Sequence, residues 1–150
     1  MKRVVSWILV IIVLVNIVPV LGYAAENDRE VVYFEDGSYM LVEIITSNVR
    51  ASGSKTGSKQ YTYYDSDDVS QWKAVLTGKF TYTGSDATCT SSSVSTTIYN
   101  SSWYTVSKSA GKSGNKATAS VVMGYNLEGV TMSRVPVSLT LSCDANGNLS

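Results

Sequence analysis

Residues 71–89 read QWKAVLTGKFTYTGSDATC, and this stretch decides the fold. The side chains of residues 72–83 alternate between two sets. One set is apolar, aromatic or glycine, and it consists of Trp72, Ala74, Leu76, Gly78, Phe80 and Tyr82. A period of two is typical of a β-strand with one buried face. Residues 83–86 have the composition of a turn, and Ala87 and Cys89 begin a return strand. The stretch therefore predicts a β-hairpin at the centre of an all-β protein.

Patterns of the same kind lie on both sides of this hairpin. Asp36 and Gly37 separate two apolar runs within residues 31–42, which predicts a hairpin near the N-terminus. After residue 60, turn residues recur at intervals of roughly 8 to 15 residues, as in β-sandwiches and β-barrels. After residue 129, the alternating apolar residues fall on even positions up to Met132 and on odd positions from Val135. A bulge or bend is therefore expected near residues 134–136. Pro136 indicates an edge strand or a bulge there.

The N-terminal residues have the three parts of a secretory signal peptide. Lys2 and Arg3 are basic, residues 4–21 are almost wholly apolar, and cleavage after Ala24 places small residues where a signal peptidase favours them. An uncleaved membrane anchor is the alternative, because the apolar run is long enough to span a bilayer. The expected parts of the chain are a signal peptide in 1–24, a β-hairpin in 25–46, a Gly/Ser-rich linker or loop in 47–59, and a β-sandwich in 60–150.

Composition limits the classes of function. The chain has 150 residues, with 12 basic residues, 12 acidic residues and no histidine. Removal of the signal peptide leaves about 126 residues, which is the size of one ordinary domain. Because the chain is neither strongly basic nor strongly acidic, nucleic acid is not expected as a partner, and no stable membrane insertion is expected after signal cleavage.

The two cysteines predict one disulfide bond. Cys89 and Cys143 belong to a chain with an export signal, and paired cysteines are typical of exported proteins. The loop between them would stabilise the fold by about 4 kcal/mol in the chain-entropy description. A reactive thiol is the alternative, but it would need a positioned base, and the chain has no histidine.

Five segments of the chain resemble a known group of proteins. They are FEDGSY at 34–39, GKFTYTG at 78–84, ATCT at 87–90, KSGNKATA at 112–119 and LSCDANGNLS at 141–150. The group consists of small secreted Ser/Thr-rich proteins of unknown function from Gram-positive, Clostridia-type bacteria. The resemblance implies a bacterial secreted protein with one disulfide, and it implies no activity and no catalytic residue.

A second resemblance concerns the spacing of three residues. Trp103 lies 14 residues after Cys89, and Cys143 lies 54 after it, which is similar to the Cys, Trp, Cys pattern of immunoglobulin domains. Leu141 stands where those domains have their tyrosine-corner residue, and only seven residues follow Cys143. The spacing therefore predicts an immunoglobulin-like β-sandwich as a class of architecture, rather than kinship with immunoglobulins.

Enzymatic function is not expected from these residues. Without histidine, and with both cysteines paired, the Ser-His-Asp and Cys-His arrangements and His-ligated zinc sites are excluded. A carboxylate pair is the remaining route to hydrolysis, with Glu30, Glu35, Asp36 and Glu43 as candidates by residue type. Their positions in a turn and near strand ends favour a structural interpretation. No cofactor is expected.

Asp65, Asp67 and Asp68 form a weak candidate site for calcium. Carboxylates at this spacing are able to direct several oxygens at one ion. The sixth position from Asp65 is Ser70 rather than glycine, and the twelfth is not glutamate, so the pattern of an EF-hand loop is missing. A solvated turn is the preferred interpretation.

Aromatic residues provide the candidate binding surface. Tyr61 and Tyr63 share one face of a predicted strand and Tyr64 faces the other way, while Trp103 and Tyr104 lie in another strand. Such rings either stack on sugars and dock partners or pack in the core.

The expected function is that of a secreted, non-catalytic extracellular protein that binds a partner. A carbohydrate or cell-envelope binding module is the favoured form, with a cell-wall glycan or an extracellular protein as its partner. A secreted antagonistic, toxin-like protein and a carboxylate-dependent hydrolase are the alternatives.

Overall fold

The computed structural model describes residues 29–47 and 53–150, so the predicted signal peptide lies outside the described residues. The described residues form eight β-strands and no helix. The strands are β1 (Arg29–Tyr33), β2 (Tyr39–Thr46), β3 (Ser54–Tyr64), β4 (Ser70–Tyr82), β5 (Ala87–Ile98), β6 (Trp103–Ser113), β7 (Lys116–Leu127) and β8 (Val130–Ser142).

The strands form two antiparallel sheets. The first has the order β1-β2-β3-β4-β5 and the second has the order β6-β7-β8, so within each sheet every strand pairs with its neighbours along the chain. The chain passes from the first sheet to the second between β5 and β6. The prediction of an all-β protein with antiparallel sheets is confirmed. The N-terminal hairpin is part of the first sheet, because β2 pairs with β3 along its whole length. The described connections do not include the Greek-key crossover that defines immunoglobulin topology.

The core lies between the two sheets. The alternation in residues 72–80 has the expected effect, because Trp72, Leu76 and Phe80 of β4 are all almost completely buried. From the second sheet, β7 and β8 contribute Ala117, Val121, Met123, Leu139 and Leu141. Full burial of one such aliphatic side chain stabilises the fold by about 1.5–3 kcal/mol.

Gly78 allows the sheets to approach closely. A Cβ atom at this position would lie 2.7 Å from the ring of Phe80 and 3.1 Å from the Cβ of Ala117 on the opposite sheet. Gly78 therefore lies on the buried face of β4 because a larger residue would collide with Phe80 and Ala117.

Part of the expected linker is a strand. Residues 54–59 begin β3, in which Gly57 pairs with Gly78 of β4. Ser58 and Thr77 join their hydroxyl groups across the strands at 2.9 Å, and the side chain of Leu149 covers Gly57. Polar cross-strand bonds and a side chain from a distant segment therefore replace the apolar alternation by which a strand is usually recognised.

The bulge in β8 lies close to its expected place. The register of β7 and β8 shifts between Tyr125, which pairs with Ser133, and Asn126, which pairs with Thr131. The extra residue is Met132, two residues before Arg134, so the prediction of a bulge near residues 134–136 is confirmed. Pro136 lies on β8, whose other side has no hydrogen-bonded strand in the described sheet, as expected for a proline.

Cys89 and Cys143 are free thiols in the structure, so the predicted disulfide is not formed there. Each thiol instead contacts a carbonyl of its own segment, that of Ser91 at 3.4 Å and that of Asp144 at 3.5 Å. Both cysteines are buried, and burial raises the pKa of each thiol. The backbone N–H groups of the two cysteines bind consecutive carbonyls of the β6–β7 turn, so the same turn holds both.

Candidate ligand-binding groove

An open cavity of about 520 Å³ lies at one end of the two sheets, and we refer to it as the groove. The β1–β2, β3–β4 and β5–β6 turns contribute residues to it, and so do the adjoining parts of β3, β4, β6, β7 and β8. The groove therefore depends on segments that are far apart in the sequence. Its volume is in the range of cavities that bind small molecules.

Four aromatic rings form the inner wall of the groove. They are Phe34, Tyr63, Trp103 and Tyr125. Tyr63 is the central ring: its centroid lies 6.0 Å from that of Phe34 and 5.3 Å from that of Trp103. Tyr125 extends the wall on the other side of Trp103, at 5.2 Å. Tyr63 also stacks on the fully buried Trp72 at 5.4 Å, which fixes the wall to the core.

A hydrogen-bonded chain joins Tyr63 to a carboxylate on one side of the groove. The Tyr63 hydroxyl donates to Oγ of Ser38 at 2.9 Å, and the Ser38 hydroxyl donates to Oδ1 of Asp36 at 2.5 Å. The backbone N–H of Ser38 donates to the same oxygen at 3.0 Å. These bonds from the Ser38 side chain and backbone lower the pKa of Asp36, so the carboxyl group is ionised at neutral pH.

A second chain of polar groups lies on the other side. The buried Gln71 accepts a hydrogen bond from Nδ2 of Asn100 at 2.7 Å and donates one to Oδ2 of Asp65 at 2.6 Å. Oδ1 of Asp65 accepts the N–H groups of Asp67 and Val69 at 3.0 and 2.9 Å. The side-chain nitrogen and oxygen of Gln71 both have hydrogen-bond partners. This network therefore holds its polar groups in one arrangement.

The predicted aromatic surface is partly assembled in the groove. Tyr63 and Trp103 come together there. Tyr61 shares the face of Tyr63 but packs beside the core away from the groove, and burial is the main cause of its raised pKa. Tyr104 lies elsewhere, with its ring against Gly124 and its hydroxyl 2.9 Å from Oγ1 of Thr131.

Seven of the eleven groove residues were not among the candidates from the sequence, namely Phe34, Ser38, Gln71, Asn100, Tyr125, Ser133 and Val135. Phe34 lies next to a predicted turn, Asn100 lies in one, Gln71 directly precedes a predicted strand and Tyr125 lies on one. Gln71 and Asn100 are 29 residues apart, and neither is unusual in its local context. Only the pairing of strands brings them together, so no local signal was present.

Of the carboxylates proposed for calcium binding or hydrolysis, Asp36 and Asp65 line the groove, and Glu30, Glu35, Glu43, Asp67 and Asp68 do not. The carboxylate of Asp65 binds its own loop, and Asp68 contributes to the raised pKa of Tyr39, for which burial is the larger cause. Glu43 pairs with Arg29 at 2.7 Å and accepts a hydrogen bond from Gln60 at 2.6 Å, outside the groove. In residues 29–47 and 53–150, no group of three His, Cys, Asp or Glu side chains is placed to hold a metal ion.

Three tyrosines form a second aromatic cluster away from the groove. Tyr33, Tyr39 and Tyr64 are opposite one another on β1, β2 and β3. Tyr39 and Tyr64 are stacked at 4.9 Å with only 9° between their planes, so each covers a face of the other. This cluster supports strand pairing, and its most exposed ring is that of Tyr33.

Comparisons with known proteins do not assign the chain to a family. A scan against protein-family models found no match, and searches of curated proteins and of solved structures found none. No helix of the described residues is long and apolar enough to cross a membrane.

Proposed function

We propose that this protein is a secreted, non-catalytic binding module that takes a cell-envelope glycan in the groove. One observation carries the proposal: aromatic rings and fixed hydrogen-bonding groups line the same open cavity. Sugars have apolar C–H faces that pack on aromatic rings and hydroxyl groups that bind carboxylates and amides. The groove offers both kinds of contact within one small volume.

The polar groups of the groove favour binding because they are preorganised. Ser38 is held between Tyr63 and Asp36, and Gln71 is held between Asn100 and Asp65. A ligand that meets groups already in place causes little loss of side-chain entropy. The same hydrogen bonds explain why buried polar side chains are tolerated at Ser38 and Gln71.

The ionisation of Asp36 argues against hydrolysis in the groove. Asp36 and Asp65 are the acidic residues that line it. Glycoside hydrolysis requires one carboxylic acid that keeps its proton at the working pH, which needs a raised pKa. The pKa of Asp36 is lowered, so Asp36 is not suited to be that acid. The ionised Asp36 is instead suited to accept hydrogen bonds from a ligand, since only its Oδ1 is bonded to Ser38.

The proposal includes export and oxidation of the two thiols. The signal peptide expected in residues 1–24 would deliver the chain to an oxidising compartment, where paired cysteines persist. Cys89 and Cys143 are held by adjacent carbonyls of one turn, which supports pairing between them. Intact mass under non-reducing conditions tests this: the disulfide lowers the mass by about two hydrogen atoms. A secreted protein with two alkylatable thiols after unfolding would contradict it.

A binding screen tests the proposed function. The complete chain is expressed in a secreting host, and the protein from the medium is applied to purified peptidoglycan and to a glycan array. Asn100→Ala and Asp36→Ala remove groups from the two sides of the groove, and we expect each to weaken glycan binding about tenfold. Tyr33→Ala is the control, because Tyr33 is exposed and lies outside the groove.

Two results would contradict the proposal. One is a folded protein that binds neither the peptidoglycan nor any glycan of the array. The other is glycan binding that Tyr33→Ala weakens as much as the groove variants do, since this would place the binding surface elsewhere.

A further inference from the structure

We infer that the groove recognises an ammonium group on its ligand, either the protonated amine of an amino sugar or a quaternary ammonium substituent. This inference rests on the proposed function and specifies the chemistry of the same site. It depends on the angles between the aromatic rings and on the charge of the groove.

The neighbouring aromatic rings that line the groove are strongly inclined to one another. The planes of Phe34 and Tyr63 are inclined by 57°, those of Tyr63 and Trp103 by 65°, and those of Trp103 and Tyr125 by 53°. A sugar ring stacks on one flat aromatic face, whereas a compact cation is stabilised by several faces and edges around it. Inclined rings of this kind are the usual arrangement for recognition of quaternary ammonium groups.

The charge of the groove is negative. Its charged lining residues are Asp36 and Asp65, and none of the described lining residues is lysine or arginine. Both hydrogen bonds from Ser38 go to Oδ1 of Asp36, which leaves Oδ2 for a ligand. Two carboxylates beside four aromatic rings favour a cation and disfavour phosphate or uronate groups.

The two sources of an ammonium group differ in their hydrogen bonding. A protonated amine donates N–H groups to the carboxylates, whereas a trimethylammonium group has no donor and depends on the rings and on the electrostatic attraction. The residues of the groove are suited to both. The test therefore includes a probe of each kind.

The test compares charged probes with neutral probes of the same shape. Secreted protein is titrated with choline and with 3,3-dimethyl-1-butanol, and separately with glucosamine and with glucose, while tryptophan fluorescence is measured. We expect at least one charged probe to bind about tenfold more tightly than its neutral counterpart. Choline alone would identify a quaternary group, and glucosamine alone an amino sugar.

Matched variants locate the interaction. Asp36→Asn and Asp65→Asn keep the side-chain shape and remove the charge. We expect each variant to bind the charged probe about fivefold or more weakly than the parent protein does. Asp67→Asn is the control, because it removes one charge from the loop of Asp65 without changing a residue that lines the groove. Thermal melting confirms that each variant is folded.

The inference is overturned if the charged and neutral probes bind equally, if neither binds, or if Asp67→Asn has the same effect as Asp36→Asn. These outcomes are distinguishable from failure of the proposed function. A neutral glycan bound in the screen together with no preference for ammonium overturns only the inference. Ammonium selectivity without any glycan binding supports the inference and overturns the glycan proposal.

Discussion

At the scale of single residues, the backbone of the β7–β8 turn is under avoidable strain. Glu128 has a φ of 51° and Gly129 a φ of 85°. Two consecutive positive φ angles define a two-residue type I′ turn, in which asparagine followed by glycine is preferred. Glutamate is a poor residue for this conformation because its Cβ meets the neighbouring carbonyl.

We expect Glu128→Asn to increase the free energy of unfolding by about 0.5–1 kcal/mol, because asparagine tolerates this backbone conformation better. Urea denaturation measures the change. Gly129→Ala is the opposing variant: no atom lies within 4 Å of the added Cβ, so any loss reports backbone strain alone. A Glu128→Asn protein no more stable than the parent would show that this turn does not limit stability.

At the scale of strands, β1 has one paired edge and one open edge. Phe34 donates its N–H to the carbonyl of Ser38 at 2.9 Å, at the end of the hairpin. Because bonding alternates in antiparallel pairs, the N–H of Val32 faces β2 and the N–H of Val31 faces away from the sheet. The two neighbouring valines are therefore in different hydrogen-bonding environments, although their exposures are similar at 41% and 42%.

Proline substitutions distinguish these environments. Val32→Pro removes a bond of the ladder, and we expect it to release β1 from the sheet and to destabilise the hairpin by about 3 kcal/mol. Val31→Pro removes an N–H that has no partner in the sheet, so its cost should be much smaller. Hydrogen exchange at the amides of β2 measures both effects. Equal loss of protection from hydrogen exchange in the two variants would contradict the expected alternation of N–H directions along β1.

The sequence predicts elements well where apolar alternation is uninterrupted. The β4–β5 hairpin and the N-terminal hairpin follow from local pattern and turn residues. The beginning of β3 does not, because Gly57 and Ser58 are stabilised by Leu149 and Thr77 from distant segments. Two of the predicted aromatic residues, Tyr63 and Trp103, meet in the groove. The pairing of Gln71 with Asn100 had no local signal, because these residues are far apart in the sequence.

At the scale of the whole molecule, the absence of histidine from the chain shapes the response to pH. Hydrogen bonds from Ser38 lower the pKa of Asp36, and hydrogen bonds from Asn148 lower that of Asp144, below the ordinary value of 3.8. A lowered pKa stabilises the folded state while the carboxyl is ionised. This contribution is complete above the ordinary pKa and is lost as the pH falls through the folded-state pKa.

We therefore expect the urea midpoint to be constant between about pH 5 and 8 and to fall below about pH 4. Asn148→Ala removes the largest cause of the Asp144 shift, so it should reduce the part of the acid loss that Asp144 contributes. Denaturation at several pH values measures this. A midpoint that changes between pH 5 and 8 would contradict the prediction. Burial raises the pKa of Tyr39 and of Tyr61 above the ordinary value of 10.0. The stabilisation contributed by these neutral side chains is therefore lost as the pH rises through their folded-state pKa values.

The construction of the groove links occupancy to folding. Its lining residues extend from Phe34 to Val135 and belong to both sheets. An unfolded chain has no part of this site, so a ligand binds only the assembled molecule and adds about 2.7 kcal/mol to its stability at a concentration one hundred times its dissociation constant. An increase in melting temperature is thus a general reporter of ligands for this protein, because it responds to any compound that occupies the groove, whatever the chemistry of that compound.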